Sequence, residues 1–426
     1  VDFDYSGRLR LAGIPLDCLQ VRQKLMKVNK HNSPMKTRLC NRRDFIQQTL
    51  ISGAGAALAL GNPLRLLGAE KQTSSRADAK VAIVQCRTYG KEVREALAKS
   101  FDLLGGIGSL VRNKTVTVKL NLTGTNFKPY MDRPVGETYM THFSTALALA
   151  SLLFEAGAKR VRFVESTQSK ADLATTLDLA DWDVKALEGL GKTEFENTRN
   201  LGKGKSYSHV KVPFGGYMFS SFDFNHAYEE TDVMVSLAKL KNHITAGVTL
   251  SMKNLFGITP NSLYGDQAGN EDATAGRGPL HNGQGFDQKI SSKFRLPGLK
   301  DGITSTEPTF RVPRIVVDVC AARPIHLAIV DGITSMSGGE GPWCNDVSPL
   351  KFTSPGIIIA GLNPVSTDAV GTAVMGYENP RAVKAKPFHF CENHVLLAEQ
   401  AGLGTADLSQ IDVRGMTIEK ARYPYG

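Results

Sequence analysis

The sequence predicts an α/β protein: a mostly parallel central sheet with helices on both faces and one long glycine-rich loop insertion. Three observations carry this reading. First, short and nearly continuous apolar runs recur at 81–84 (VAIV), 233–237 (VMVSL) and 357–360 (IIIA), the pattern of parallel strands covered on both faces. Second, helical stretches alternate with them. One of these, Ser144–Ala156 (STALALASLLFEA), is apolar nearly all round; it is too short for a bilayer span, so it reads as a helix packed on a sheet. Third, polar and charged residues collect where strands end, which is where open α/β sheets place ligands.

Taken in order, the chain opens with a basic leader. Of the 51 Lys/Arg and 41 Asp/Glu, residues 1–69 hold 11 and 4, so the remaining body is nearly balanced at 40 against 37. The net charge of +10 is thus mostly a leader property and is no argument for nucleic-acid binding. Asn41-Arg42-Arg43-Asp44-Phe45-Ile46-Gln47 resembles a twin-arginine export signal, and a weakly apolar run, Thr49–Leu60, follows it. Met35 is then the natural start, 1–34 an upstream extension, 35–69 the signal peptide, and Gly68-Ala69 the cleavage point. This implies the twin-arginine translocase as partner during export, a periplasmic or extracellular location, and no stable membrane span in the mature form. Residues 70–426 are expected to form a single large α/β domain.

In that domain Lys80–Cys86 reads as the first strand and Glu92–Leu104 as a helix. Thr115–Leu120 is a strand with clean alternation: Val116, Val118 and Leu120 share one face, Thr115, Thr117 and Lys119 the other. Gly157 ends the apolar helix, and Val161–Val164 is a strand running into Glu165. Ala171–Gly189 reads as helical and Tyr207–Phe214 as a peripheral strand. Asn261–Gly285 is the glycine-rich insertion and contains His281. Phe310–Ala322 is ambiguous between strand and helix. His326–Val330 is a strand delivering Asp331, Gly356–Ala360 is another, and Ser366–Met375 is a helix with Asp368 near its start.

The stretch Asp232–Thr259 concentrates charge. Lys239, Lys241 and His243 follow a buried strand at period two, so an extended chain puts all three on one side. Thr245 is the expected N-cap of a helix whose apolar stripe is Val248, Met252, Leu255 and Phe256; Gly257 is its expected C-cap. Lys253 and Asn254 fall in its last turn, where the plain reading is satisfaction of terminal carbonyls. Asn121, Glu165, Asp331 and the segment before Asp368 lie at other strand ends, Glu340 sits in a glycine-rich turn, and His142 opens the apolar helix. Six widely spaced cysteines include no Cys-x-x-Cys, so no iron–sulfur cluster is expected.

Several of these residues carry a resemblance. Lys239-Leu240-Lys241-Asn242-His243 followed by Thr249 and Lys253-Asn254-Leu255-Phe256-Gly257 resembles the hallmark of the family called domain of unknown function 362. Lys119-Leu120-Asn121, Thr141-His142, Val330-Asp331-Gly332 before Glu340-Gly341-Pro342, and Asn363-Pro364 to Asp368 are similar to it as well. The resemblance covers roughly residues 80–380 and implies the fold and the place of the site. Many relatives carry ferredoxin-type cysteine clusters; this chain has none.

Together these residues point to an exported protein, in this reading an enzyme, that acts on a small anionic ligand, a carboxylate or phosphate. Lys239, Lys241, His243 and His142 are the expected catalytic groups. Lys119, Asn121, Lys253, Asn254 and His281 are expected to bind substrate. Glu165, Asp331, Glu340 and Asp368 orient the lysines or hold a divalent metal. A non-catalytic periplasmic binding protein and a redox-associated protein are the alternatives that the sequence leaves open.

Overall fold

The computed structural model describes residues 79–122, 129–168, 171–274, 276–283, 295–303 and 305–426, together with two paired backbone segments, Asp2–Phe3 and Leu9–Arg10. The twin-arginine segment and the apolar run after it lie outside the described residues. Gln72–Gly426 forms one compact unit.

Within it the main elements are β1 (Lys80–Gln85), α1 (Lys91–Leu104), β2 (Thr115–Lys119), α2 (Phe143–Glu155), β3 (Arg160–Glu165), β4 (Thr193–Asn197), β5 (Val233–Lys239), α3 (Leu250–Leu255), α4 (Pro308–Ala322), β6 (Leu327–Gly332), β7 (Ile357–Gly361), α5 (Pro364–Val374), α6 (His394–Gln400) and β8 (Asp412–Gly415). Eight strands form one sheet in the order β8-β1-β7-β6-β5-β2-β3-β4. All run parallel except β7, which is antiparallel to both β6 and β1.

The sheet is buried on both faces because successive residues alternate sides. Val116, Val118, Phe163, Val235 and Ile329 pack with Leu97 and Phe101 of α1 and Leu149 and Leu153 of α2. Ile83, Met234, Val330 and Ile359 face the other way, onto Leu250 and Met252 of α3, Val316 of α4 and Val370 of α5. The expected alternation in β2 holds, with Val116, Val118 and Leu120 in one core layer.

Parallel register then sets the site. Asp331 lies opposite Lys239, and Lys119 lies opposite Ser236 on one side and Val164 on the other. The carboxyl ends of β6, β5, β2 and β3 therefore fall along one edge, and they end in Asp331, Lys239, Lys119 and Glu165.

Several elements differ from expectation. Residues 171–189 form two short helices, Leu173–Leu179 and Val184–Glu188, each started by an aspartate cap, Asp172 and Asp183. The ambiguous segment at 310–322 is helix α4, although Pro313 lies inside it. Proline leaves the carbonyl four residues back without its helical partner, and the Glu392 N–H approaches that carbonyl, Thr309 O, at 3.4 Å. Asp318 of α4 is buried and accepts the Tyr217, Met218 and Phe219 N–H groups at 2.6–2.9 Å, which ties the loop after the peripheral strand Ser208–Lys211 to the core. Strands β4 and β8 carry too few apolar residues to stand out in the sequence; their neighbours in the fold hold them in place.

Candidate functional site

The site begins where β5 stops. Lys239 and Lys241 are both buried, and both reach the same helical turn, Val135–Thr138. Lys239 Nζ donates to Gly136 O at 2.9 Å and Lys241 Nζ to Tyr139 O at 2.6 Å. The period-two expectation holds here, because Leu240 between them turns into the core. Lys239 is fully engaged: it also donates to the Tyr89 hydroxyl at 2.7 Å and faces Asp331 Oδ2 at 3.4 Å. Asp331 in turn accepts from Tyr89, from Thr145 Oγ1 and from the Ile333 N–H. Lys241 has a second acceptor, Glu340 O, at 2.8 Å.

His142 is the N-cap of α2. Its Nδ1 accepts the Ser144 N–H at 3.0 Å, and its ring stacks on Tyr89 with centroids 3.6 Å apart. A backbone N–H can only donate, so Nδ1 is bare and the ring is neutral with its proton on Nε2. Burial pushes its pKa down to about 4.

After Lys241 the chain makes a small hairpin, Asn242–His243 against Gly247–Val248. Thr245 lies in its turn and is not the helix cap; α3 starts after Thr249. Its N-terminus is instead capped from another helix. Asp368 of α5 accepts the Ser251 N–H at 2.9 Å, the Ser251 hydroxyl at 2.6 Å and the Met252 N–H at 2.8 Å. Asp368 thus serves α3 and not a metal; its burial outweighs those hydrogen bonds and raises its pKa to about 7. Gly257 is not a left-handed C-cap either. The helix passes into a 3₁₀ turn, Phe256–Ile258, and a Cβ on Gly257 would sit 3.0 Å from Lys119 Nζ. A larger residue there would press on the Lys119 ammonium, which would have to shift by a few tenths of an ångström.

Phe256-Gly257 is the floor on which a second group of cations meets. Lys119 pairs with Glu165 at 2.5 Å and donates to Leu120 O. Glu165 also accepts the Leu122 and Ser166 N–H groups. Arg277, only 2% exposed, binds Thr259 O, Ser166 Oγ and Gly257 O, while its Nη1 has no partner. Lys253 Nζ lies 4.3 Å from the Phe256 ring centroid; among the described residues it has no hydrogen bond and no carboxylate partner. His281 meets the same ring edge-on at 5.2 Å, and its Nδ1 faces Arg277 O at 2.8 Å. A carbonyl can only accept, so that nitrogen carries the proton and Nε2 is bare. Asn254 Nδ2 donates to Lys119 O and Ser236 Oγ, which leaves its Oδ1 buried without a donor; Asn121 Oδ1 is in the same position.

On the remaining side Glu340 accepts the Ile244 N–H at 2.9 Å and the Trp343 indole N–H at 3.3 Å. His243 Nδ1 is 3.7 Å from Glu340 Oε2, too far for a hydrogen bond, and accepts the Thr245 N–H at 3.2 Å.

Five cationic side chains, Lys119, Lys239, Lys241, Lys253 and Arg277, are thereby buried against three facing carboxylates, Glu165, Asp331 and Glu340. Glu137 and Asp266 add further negative charge, acting on Lys239 and Arg277 respectively. Burial, which the nearby carboxylate Glu340 only partly offsets, lowers both Lys241 and Lys253 to about 7, and like charges reinforce it: Lys239 acts on Lys241, Arg277 and Lys119 on Lys253. Arg277 falls to about 10 and His281 to about 4, in both cases through burial first. Burial opposes ionisation of Glu340, yet His243, the Ile244 N–H and Lys253 hold it down at about 2.

Most of the residues singled out in the sequence are thus gathered here. The four acids expected to share a metal are not: each is committed to separate partners, and among the described residues no group of three or more His, Cys, Asp or Glu could hold a metal ion. Three contributors were missed. Tyr89 stands just past the carboxyl end of β1, a position that could have flagged it. Arg277 is a lone arginine between Gly276 and Gly278 in the insertion, a weaker signal. His394, at the start of α6, is buried and lowered to about 3 by its burial and by Lys253; nothing in the sequence marks it.

A family model described as Domain of unknown function (DUF362) matches residues 116–373, more than half of the chain. The chain belongs to the DUF362 family. The match spans Lys119 to Asp368 and so takes in Lys239, Lys241, Lys253, Arg277 and Glu340. A solved crystal structure of a protein from Thermotoga maritima is similar at 13% identity, with a TM-score of 0.32, over 60% of this chain and 52% of that one. The chain thus spans about half the length of that protein. No curated protein matches it.

The lowered lysines have a consequence for stability. Above pH 7 the folded protein has released protons from Lys241 and Lys253 that the unfolded chain keeps to about pH 10.4. The unfolded state then binds more protons, so stability rises with pH in that window. Urea unfolding at pH 7 and pH 8 should show a smaller rise for Lys253→Met than for the unmodified protein. The difference should be at most about 1.4 kcal/mol per pH unit; identical slopes would show that Lys253 titrates normally.

Proposed function

We propose that this DUF362 protein is an exported enzyme that binds a small carboxylate or phosphate in its buried cation cluster and moves protons with the lysines and histidines around it. The observation that supports this is the charge imbalance: five buried cations against three carboxylates, with Arg277 Nη1 buried without a partner and the Lys253 ammonium resting on the Phe256 ring with no hydrogen bond among the described residues. Uncompensated buried charge is costly, and an anionic ligand would relieve it.

In this reading Lys253, Lys241 and Arg277 hold the anion. Lys239 and Lys119, each tied to a carboxylate, position the strand ends. The bare Nε2 of His281 is the proton acceptor, and the Nε2–H of His243 is the donor. Catalysis is favoured over simple carriage by the state of the lysines. A carrier gains nothing from binding groups that are half deprotonated near pH 7, whereas acid–base chemistry works best with groups whose pKa lies there.

Thermal unfolding and titration calorimetry with inorganic phosphate and with malonate test the site. Either anion should raise the melting temperature. Affinity should fall up to about tenfold per pH unit above pH 7 for each lysine that must stay protonated, and Lys253→Gln should abolish most of the response. No shift with either anion, or an affinity flat to pH 9, would refute the site.

Export by the twin-arginine route is a separate part of the proposal, supported by the sequence at Asn41–Gln47. Fractionation of cells producing the full chain should recover a shortened protein outside the cytoplasm. The doubly substituted Arg42→Lys, Arg43→Lys form should stay inside; equal export of both would exclude the route.

A further inference from the structure

We infer that Lys253 is an amine nucleophile that forms an imine with the carbonyl carbon of a small 2-oxo acid, a reading that rests on the anion site proposed above. The four lysines of the cluster differ in how they are held. Lys119 has a carboxylate and a carbonyl, Lys239 a carboxylate, a phenol and a carbonyl, and Lys241 two carbonyls. A lysine held by two or three acceptors must break those bonds before its nitrogen lone pair can attack. Lys253 has none to break. Its ammonium lies over an aromatic face, is drawn from a helix rather than a loop, and stays about 9% accessible.

The two devices that make a lysine nucleophilic near neutral pH are desolvation and adjacent positive charge. Both are present: burial among Phe256, His281 and the sheet, and the neighbouring Arg277 and Lys119. Those neighbours also decide the substrate class. A carbonyl directly bonded to a carboxylate would offer the carboxylate to the unpartnered Arg277 Nη1, whose charge already acts on Lys253, while its carbonyl carbon meets Lys253. A simple aldehyde or ketone would leave these cations uncompensated.

The step balances without a redox partner. The neutral Lys253 nitrogen attacks the carbonyl carbon, the N–C bond forms, and the π pair moves onto oxygen; the bare Nε2 of His281 takes one proton from the nitrogen and returns it to that oxygen, giving a neutral carbinolamine. The nitrogen lone pair then expels the hydroxyl, which leaves as water with the second nitrogen proton, passed through the same Nε2, so both protons of the water come from the Lys253 amine and His281 ends as it began. The net change is amine plus carbonyl giving imine plus water. The imine is an electron sink for carbon–carbon or carbon–hydrogen cleavage next to it.

The test is reductive trapping. The full protein is incubated with pyruvate and cyanoborohydride at pH 7, and the modified peptide is mapped by mass spectrometry. Melting temperatures with pyruvate and with lactate, which has the carboxylate but no carbonyl, are measured in parallel. One reduced adduct on Lys253 is expected, with a trapping rate that levels off by about pH 8. The neutral fraction of an ordinary exposed lysine is up to about a thousandfold lower at pH 7 and keeps rising to about pH 10. Lys253→Arg should give no adduct. If both acids raise the melting temperature but no adduct forms, or the adduct maps to another lysine, the imine is excluded and the anion site stands. If neither acid has an effect, the anion site fails and the imine with it. Mapping on the unmodified protein decides the matter even if the variant does not fold.

Discussion

Buried positive charge without enough negative charge to match it is the constraint on which this structure turns. Two of the five cations are neutralised in direct ion pairs, Lys119 with Glu165 and Lys239 with Asp331. These pairs join neighbouring strand ends, β2 to β3 and β5 to β6, so the parallel register of the sheet and the placement of charge are one arrangement. Breaking such a pair leaves an unpaired buried charge and costs about 3–5 kcal/mol. The other cations have no such pairing; burial lowers the proton affinity of paired and unpaired cations alike, and takes Lys241 and Lys253 to about 7.

The surrounding fold is arranged to hold that imbalance in place. Asp368 reaches from α5 to cap α3, the helix that carries Lys253 and Asn254. Gly257 lets the backbone lie against Lys119, and the Phe256 ring supports Lys253 and His281 from the same turn. The carbonyls of the Val135–Tyr139 segment take Lys239 and Lys241. The site is thus set by short, local contacts at element ends, with the sheet interior acting as a rigid base.

The fold and half of the site were legible in the sequence for definite reasons. Buried parallel strands have unbroken apolar runs, and a period-two alternation puts Lys239 and Lys241 on one side. Residues that arrive from outside the strands were not legible. Arg277 comes from a glycine-rich insertion and His394 from the start of a short helix near the C-terminus; neither lies on a periodic pattern. Asp368 was placed with the site because it is an acid near a helix start, but chain order does not tell which face of α3 it approaches. The four acids were grouped by their common position at strand ends, whereas each had nearer donors to satisfy.

The most direct measurement of the central claim is an NMR titration of the protein with its lysine side chains labelled at Cε, without any added ligand. Two lysine signals should titrate near pH 7, and Lys241→Arg and Lys253→Arg should each remove one of them. If every lysine signal titrates near the ordinary value of about 10.4, the buried charge is balanced by means other than deprotonation and the account is wrong.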